Sequence, residues 1–427
     1  MILAYRIFSI ISYPFLFLFI YFRLILKKED PRRFKEKLLS SHFNVKRKEN
    51  SKLIWFHAAS IGEFKSIIPI IKKLDSYEKN LEFLITTTTF SSSNLAKLEL
   101  ANFENMHHRF FPFDVIFLID KFINVWKPKK IFLVDSEVWP NLIIKANQKG
   151  IPLALINARL SRKSFKRWLL FPNTAKKIFG MIDLFLCANK ETKGYLEKLK
   201  IQKVNYEGNI KLISKINFQK IDEENEKRLE ESRFWIAASI HKEEDIFCLK
   251  THKELKNVYN DIITVLAPRH IDRVNKIKSL SEKLGFKTQI LNKDDKIFDE
   301  NEVIIINFFG NLQNYFKYAK SVFIGKSTIN KIKHDSGQSP IDAAKLNCKI
   351  YHGPYVSNFQ ELYDDFRINN ISNLVEDHHD LSKNLIIDLK KISKKEITSP
   401  QYIKNLERDV LINTMKLINN FLYDEIN

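Results

Sequence analysis

The chain has 427 residues, of which 44% are hydrophobic and 28% charged, so it is long enough for two or three domains and is not intrinsically disordered. Its net charge of +20 predicts an anionic partner such as nucleic acid, a phosphate-bearing ligand or a membrane surface. The three cysteines lie far apart in sequence, which excludes a disulfide framework and a closely spaced metal knuckle.

The N-terminal segment predicts a membrane anchor over residues 1–28. Residues 7–22 carry no charge, and the apolar character resumes after Arg23. A helix over 7–22 is only about 24 Å long, so a membrane span would need the longer segment with Arg23 reaching the bilayer surface. Lys27 and Lys28 follow in place of a small-residue cleavage site, which favours a retained anchor with the body of the protein in the cytoplasm. A buried core helix is the alternative.

Ten short apolar runs, separated by stretches of helical periodicity, predict two parallel α/β sheets. The runs lie at 53–56, 83–87, 130–134, 152–156 and 183–188, and then at 234–238, 262–267, 303–306, 322–324 and 349–351. A charged stretch at 216–233 separates the two groups. We therefore expect Rossmann-like domains over 29–214 and 215–400 that face a cleft, and a closing helix within 401–427. Ligands are expected at the carboxyl ends of the strands.

The segment 57–63 (HAASIGE) follows the first apolar run and opens a helix. Glu63 falls in the first helical turn, where the helix dipole and free N–H groups favour the carboxylate form that a general base requires. Ser60 stands three residues earlier, so the same pair also fits a structural capping box. Spacing alone leaves both roles open and favours the cap.

Two further polar segments follow strands of the first domain, and a third lies just before the expected boundary between the domains. The segment 135–141 (DSEVWPN) carries Asp135 and Glu137, which predicts either a sugar pocket lined by a tryptophan or solvated acids beside a buried one. The segment 157–168 (NARLSRKSFKRW) is basic and aromatic, as expected of a surface for phosphate-bearing lipid or of a solvated cationic helix. Lys211 in 208–211 (GNIK) could reach an anion.

In the second domain, 239–241 (SIH) and 268–270 (PRH) are polar clusters at two strand ends, which predicts a pocket. Arg269 has a planar fork that suits phosphate or carboxylate. The segment 336–344 (SGQSPIDAA) predicts a loop entering a helix at Pro340, whose first-turn acid could bind ribose hydroxyls beside a phosphate.

Two other segments resemble ligand sites less well. The residues 325–327 (GKS) match the end of a P-loop, but Lys320 stands where the first glycine is needed, which excludes a Walker A motif. The segment 376–380 (EDHHD) contains metal-ligand residue types, yet its composition is typical of a solvated loop between helices.

Together these segments resemble the 3-deoxy-D-manno-octulosonic acid (Kdo) transferase family, which adds Kdo to the lipid A precursor in Gram-negative bacteria. The resemblance rests on 33–37 (RFKEK), 57–63, 86–89, 111–114 (FPFD), 135–141, 157–161, 208–211, 239–241, 268–270, 336–344 and 353–359. It implies a GT-B fold, inverting transfer from CMP-Kdo, and binding of the acceptor by the N-terminal domain at the cytoplasmic side of the anionic inner membrane.

The resemblance also implies roles for individual residues. Glu63 matches the general base, and Asp135 and Lys211 match positions assigned to transition-state stabilisation. The positions that match the CMP-binding residues are Pro268, Arg269, Phe309, Gly310, Asn311, Ser339, Pro340, Ile341 and Asp342. The family implies neither a metal nor a separate cofactor.

The chain departs from the family pattern mainly in the donor site. The family usually has glutamate where this chain has Asp135 and Asn311, threonine at Ile240, and Gly-Gly-His-Asn-Pro-Leu-Glu at 336–342. These changes leave a GT-B transferase of another nucleotide sugar as an alternative. A non-catalytic basic protein that binds anionic lipid or nucleic acid is a further alternative. Because acids at Glu63, Asp135 and Glu137 would repel a phosphate backbone, no nucleic-acid partner is expected.

Overall fold

A computed structural model of the chain describes residues 1–43, 47–48, 51–78, 80–218, 221–308, 310, 312–392, 395 and 398–423. The chain forms two compact units, one comprising Met1–Lys215 with Glu407–Asn427 and the other Ile216–Leu406. Each unit is built on one parallel seven-stranded sheet with helices, which confirms the predicted α/β fold class.

The sheet of the first unit has the strand order β3-β2-β1-β4-β5-β6-β7. Its strands are β1 (Lys52–His57), β2 (Leu81–Thr87), β3 (Met106–Phe110), β4 (Lys130–Val134), β5 (Leu153–Ala158), β6 (Leu184–Cys187) and β7 (Val204–Tyr206). The helices that begin in this unit are α1 (Ile2–Ile25), α2 (Ile61–Tyr77), α3 (Phe90–Leu100), α4 (Ile116–Trp126), α5 (Pro140–Gln148), α6 (Arg162–Leu169), α7 (Pro172–Phe179) and α8 (Lys190–Lys198).

The sheet of the second unit has the order β10-β11-β9-β8-β12-β13-β14. Its strands are β8 (Arg233–Ile240), β9 (Ile262–Pro268), β10 (Thr288–Leu291), β11 (Val303–Ile306), β12 (Ser321–Ile324), β13 (Lys349–His352) and β14 (Ser372–Leu374). The helices that begin here are α9 (Glu223–Glu231), α10 (Glu244–Lys256), α11 (Val274–Lys283), α12 (Leu312–Tyr318), α13 (Ile341–Lys345), α14 (Gln360–Ile368), α15 (His378–Asp388) and α16 (Gln401–Tyr423).

The ten predicted strands are the ten interior strands, and the four strands that the sequence did not predict are the four sheet edges β3, β7, β10 and β14. Interior parallel strands are covered on both faces and therefore read as continuous apolar runs. An edge strand has one neighbour and carries polar side chains, as in Met-His-His-Arg-Phe of β3 or Val-Asn-Tyr of β7. The hydrophobic signal is consequently weakest at the edges.

The helix α1 is the one helix in the described part of the chain that is long and apolar enough to cross a membrane, judged by length and composition. One side of α1 packs on the rest of the first unit. Tyr5 donates a hydrogen bond to Asp114, Tyr13 donates one to the carbonyl of Leu38, and Ile20 is buried. The opposite side leaves large apolar side chains exposed. These are Leu3, Ile7, Phe8, Ile10, Ile11, Phe15, Leu18, Phe19 and Phe22.

The buried carboxylate of Asp114 connects α1 to the start of α5. It accepts hydrogen bonds from the Tyr5 hydroxyl and from the backbone N–H groups of Asn141 and Leu142, each at 2.9 Å. Asp114 therefore satisfies N–H groups that have no partner within α5. Burial raises the pKa of Asp114 to about 6, against the effect of these three hydrogen bonds.

We expect Tyr5→Phe to lower the free energy of unfolding by about 1.5 to 3 kcal/mol at neutral pH, because Asp114 loses a hydrogen bond to its charged form. Urea unfolding in detergent would measure the loss. Tyr77→Phe is the matched control, since Tyr77 is exposed at the end of α2. Equal stability of the two variants would contradict the role of the Tyr5 bond.

Candidate active site

Glu63 lies in the first turn of α2, directly after β1. Ser60 is the N-cap residue, and its oxygen accepts the Glu63 N–H at 3.4 Å. The Glu63 carboxylate accepts the Ser60 hydroxyl and the Ala59 N–H, both at 2.7 Å. The capping interaction is therefore present, and it holds the carboxylate in one orientation at the carboxyl end of the sheet.

Asp135 lies at the end of β4 and forms an ion pair with Lys211, with 2.8 Å between Oδ2 and Nζ. Asp135 has φ +62°, a left-handed conformation that non-glycine residues seldom adopt outside aspartate and asparagine. The Ser136 hydroxyl donates to the other Asp135 oxygen at 3.1 Å. The strained backbone and both hydrogen bonds fix the direction of this carboxylate.

The turn that carries Lys211 is held in place from two sides. Asn157, at the end of β5, accepts the Ile210 N–H at 3.0 Å. Gly208 has φ +96°, and a Cβ there would approach Cγ2 of Val410 in α16 to 2.6 Å, so only glycine fits. The 3-10 turn Ile210–Ile213 also packs on α2, the helix of Glu63. The predicted catalytic residues Glu63, Asp135 and Lys211 thus lie in one region of the first unit.

Glu137 is held by two aromatic residues. Its Oε2 accepts the Trp139 indole N–H at 2.7 Å and lies 3.2 Å from Nε2 of His57. His57 is fully buried, and its Nδ1 lies 2.9 Å from the Thr86 hydroxyl. The sequence left two alternatives for this segment, a sugar pocket lined by a tryptophan or solvated acids beside a buried one. Trp139 is partly buried, so the structure lies between them.

The electrostatic environment raises the pKa of Glu63. Burial raises the pKa of Glu63, and the charges of Asp135 and Glu137 raise it further, whereas the Ser60 and Ala59 hydrogen bonds act in the opposite direction. A carboxylate whose pKa is raised is a stronger base than an ordinary glutamate. Capping and proton transfer are therefore compatible in this residue.

In the second unit, the loop after β12 is organised by a buried carboxylate. Glu244, in the first turn of α10, accepts the backbone N–H groups of His241, Lys326, Ser327 and Thr328 at 2.7 to 3.1 Å. A Cβ at Gly325 would lie 2.6 Å from the Ile240 Cα, which explains the glycine. The Gly-Lys-Ser loop therefore holds a glutamate where a P-loop holds phosphate.

Cationic side chains surround His241 at the ends of β8, β9 and β12. Burial lowers the pKa of His241 to about 4, and Lys326, His270 and Arg269 lower it further by charge repulsion. The rings of His241 and His270 meet edge to face at 5.4 Å, and Arg269 and His270 are exposed. The group is a positive surface that can bind an anion such as phosphate through the exposed Arg269, whereas Lys326 is largely shielded and its Nζ lies 3.6 Å from Asp335.

The remaining residues predicted to bind CMP lie on several elements of the second unit. Asp342 is in the first turn of α13, and its Oδ2 accepts the Gln313 side-chain amide at 2.9 Å. Ser339 accepts the Ile341 N–H at 3.4 Å, and Pro340 precedes the helix as its N-cap. Pro268 is the last residue of β9, and Gly310 has φ +103°. Phe309 and Asn311 lie outside the described residues.

Three residues that organise these sites were not predicted, namely His57, Glu244 and Gln313. A histidine ending a buried strand and a glutamate at a helix start are signals present in the sequence. His57 lies 80 positions from its partner Glu137. Glu244 lies 82 positions from Lys326, and Gln313 lies 29 positions from Asp342. Local patterns do not reveal such long-range contacts.

One group of side chains has the residue types of a metal site. Glu254 of α10 and His378 and His379 of α15 place ligand atoms within 4.8 Å of one another. Asp377 caps α15, so the predicted loop at 376–380 is wrong from His378 onward, where the helix begins. The group lies on helices α10 and α15, and none of its members belongs to the predicted donor residues.

The family model of 3-deoxy-D-manno-octulosonic-acid transferase (kdotransferase) matches residues 32–214. The 3-deoxy-D-manno-octulosonic acid transferase of Haemophilus influenzae is 30% identical over 73% of this chain and 72% of its own length. A relative in Arabidopsis thaliana, named "Probable 3-deoxy-D-manno-octulosonic acid transferase, mitochondrial", is 28% identical over 99% of this chain and 97% of its own.

Among solved structures, a glycosyltransferase from Rickettsia africae matches 88% of this chain and all of its own, with a TM-score of 0.58 and 11% identity. At that identity the likeness concerns the fold alone, and it agrees with the predicted GT-B architecture. The sequence relatives establish the family, and the chain belongs to the 3-deoxy-D-manno-octulosonic acid (Kdo) transferase family of glycosyltransferases.

Proposed function

We propose that the protein transfers Kdo from CMP-Kdo to a sugar hydroxyl of the lipid A precursor, with inversion at the anomeric carbon. Kdo is the sugar that the names of the relatives specify. The observation that carries the proposal is the oriented Glu63 carboxylate, whose pKa is raised by burial and by two neighbouring acids.

In the proposed reaction, the acceptor hydroxyl oxygen attacks the anomeric carbon of Kdo while Glu63 takes the hydroxyl proton. The bond between that carbon and the phosphate oxygen breaks, and CMP leaves with the bonding electrons. Attack from the face opposite to CMP inverts the configuration. General-base assistance of this kind contributes about a hundredfold to ten-thousandfold in rate.

We assign Asp135 and Lys211 to stabilising the transition state. Lys211 is partly exposed, and one of its three ammonium hydrogens is used by Asp135. The remaining hydrogens can bind the developing negative charge on CMP or the carboxylate of Kdo. Asp135 serves to hold the lysine in position, and the 2.8 Å ion pair means that the aspartate side chain is long enough to do so.

We assign acceptor binding to residues 29–214 and donor binding to residues 215–400, with 401–427 as a closing helix. The positive surface of Arg269, His270 and Lys326 supplies the charge that a CMP phosphate requires, so the reaction needs no metal ion. The Asp342 carboxylate is positioned by Gln313 to accept ribose hydroxyls.

We further propose that α1 anchors the protein to the cytoplasmic face of the inner membrane and lies along it rather than across it. The Tyr5 and Tyr13 hydrogen bonds and buried Ile20 join one stripe of α1 to the first unit, whereas a spanning helix would have to give up these contacts. The turn between α6 and α7 adds exposed apolar side chains beside the basic residues of α6. These side chains are Leu169, Leu170 and Phe171.

We expect Glu63→Gln to lower kcat for Kdo transfer about a hundredfold or more, with little change in KM for CMP-Kdo. Glutamine keeps one oxygen that can accept the Ala59 N–H, and its amide NH2 can donate to the Ser60 hydroxyl oxygen, so the variant should fold. Mass spectrometry of the lipid product would measure the rate, with Glu104→Gln, at an exposed glutamate, as the control. Transfer by Glu63→Gln at the wild-type rate would exclude this base.

We expect CMP to raise the thermal unfolding temperature and UDP to leave it unchanged. Arg269→Gln should abolish most of the CMP effect because it removes a planar cation from the proposed phosphate site. Arg367→Gln is the matched control, an exposed arginine of α14 paired with Asp364. Stabilisation by UDP in place of CMP would favour the alternative of another nucleotide sugar.

A further inference from the structure

Glu254 of α10 faces two consecutive histidines at the start of α15. Its Oε1 atom lies 3.4 Å from Nε2 of His378 and 2.5 Å from Nδ1 of His379. The three atoms lie within 4.8 Å of one another. Two imidazole nitrogens and one carboxylate oxygen, all of them metal-ligand atoms, therefore meet between two helices of the second unit.

The packing of α10 against α15 orients these side chains. The Thr251 hydroxyl of α10 donates to the carbonyl of His378 at 3.5 Å, and the His378 ring lies edge-on to the ring of Phe247 at 6.4 Å. The Ser382 hydroxyl donates to Oε2 of Glu254, so the other oxygen is directed toward the histidines. Hydrogen bonds of this kind to a ligating carboxylate are typical of the surroundings of a metal ion.

The spacing of the three ligand atoms suits a zinc ion. Zinc binds histidine nitrogen and carboxylate oxygen at about 2.0 to 2.2 Å in a tetrahedron, which places neighbouring ligand atoms about 3.3 Å apart. The separation of 3.4 Å between Glu254 and His378 matches this value. The separation between Glu254 and His379 has to widen by about 0.8 Å. The His379 side chain is 62% exposed, so its ring has room to move.

Hydrogen bonding alone explains the arrangement less well. An imidazole N–H of either histidine can donate to Glu254, but both rings point at the same oxygen atom and their centroids lie 4.1 Å apart. One divalent cation would satisfy both nitrogen lone pairs and the carboxylate together. The carboxylate of Asp377, the N-cap residue of α15, lies within electrostatic reach of both histidines and offsets the charge of Lys250 nearby.

We propose that Glu254, His378 and His379 bind a zinc ion, with water in the fourth coordination position. Two nitrogen ligands select zinc over magnesium and calcium, which prefer oxygen ligands. The ion joins α10 to α15 and thereby stabilises the second unit, to which both helices belong. This role is separate from sugar transfer, since none of the three residues is assigned to the donor site.

Zinc binding is measured on the full chain in detergent, after EDTA has removed bound metal. We expect one equivalent of Zn²⁺ to raise the thermal unfolding temperature, and Mg²⁺ to leave it unchanged. Co²⁺ should give the visible absorption bands of a tetrahedral ion. By titration calorimetry, His379→Ala and Glu254→Gln should each weaken Zn²⁺ binding about tenfold or more, because each removes a ligand. Glutamine at 254 keeps an oxygen for the Ser382 hydroxyl.

His334→Ala is the matched control, an exposed histidine of the same unit outside this group, and it should bind Zn²⁺ as the wild type does. Circular dichroism of the metal-free proteins establishes that each variant is folded. A wild type that binds no Zn²⁺, or Zn²⁺ binding of unchanged affinity in both His379→Ala and Glu254→Gln, would overturn the proposal and leave the group a hydrogen-bonded contact between helices. Neither measurement needs sugar transfer, so the result stands whether or not the protein transfers Kdo.

Discussion

The crowding of three carboxylates at the carboxyl end of the first sheet is the constraint on which the site depends. Glu63, Asp135 and Glu137 lie within electrostatic reach of one another. Burial raises the pKa of Glu63, and the charges of Asp135 and Glu137 raise it further. The structure balances this repulsion with hydrogen bonds to each carboxylate and with the ammonium of Lys211.

Buried carboxylates also organise the loops elsewhere in the fold. Asp114 accepts hydrogen bonds from α1 and from the start of α5. Glu244 accepts hydrogen bonds from four backbone N–H groups in the loops after β8 and β12. Because parallel strands place many loops at one edge, many backbone donors there lack partners in the sheet. A carboxylate with two oxygens can accept hydrogen bonds from several of them at once, so each of these acids fixes the conformation of the loops around it.

The sequence predicted the parts of the fold that depend on continuous hydrophobic runs. It identified every interior strand, whereas β3, β7, β10 and β14 were missed because each is an edge strand with one neighbour and polar residues interrupt its apolar run. The sequence predicted a closing helix within 401–427, and α16 occupies Gln401–Tyr423. The helix belongs in part to each unit, which local periodicity does not reveal.

The site was predicted less completely than the fold, for a similar reason. Glu63 and Asp135 were identified after predicted strands and Lys211 before the expected domain boundary, and the roles of all three came from the family resemblance. The orienting contacts of His57 and Glu244 join residues about 80 positions apart, so no local spacing encodes them. The sequence also did not predict the left-handed backbone of Asp135, because glycine is the usual signal of a positive φ and this position is an aspartate.

The central claim is that neighbouring carboxylates raise the pKa of the residue that accepts the acceptor proton. The pH dependence of kcat in the wild type and in Glu137→Gln tests this claim most directly, since glutamine retains an oxygen for the Trp139 N–H. Activity should fall on the acidic side as Glu63 becomes protonated, and loss of the Glu137 charge should move that limb to lower pH. An acidic limb at the same or a higher pH in Glu137→Gln would contradict the account.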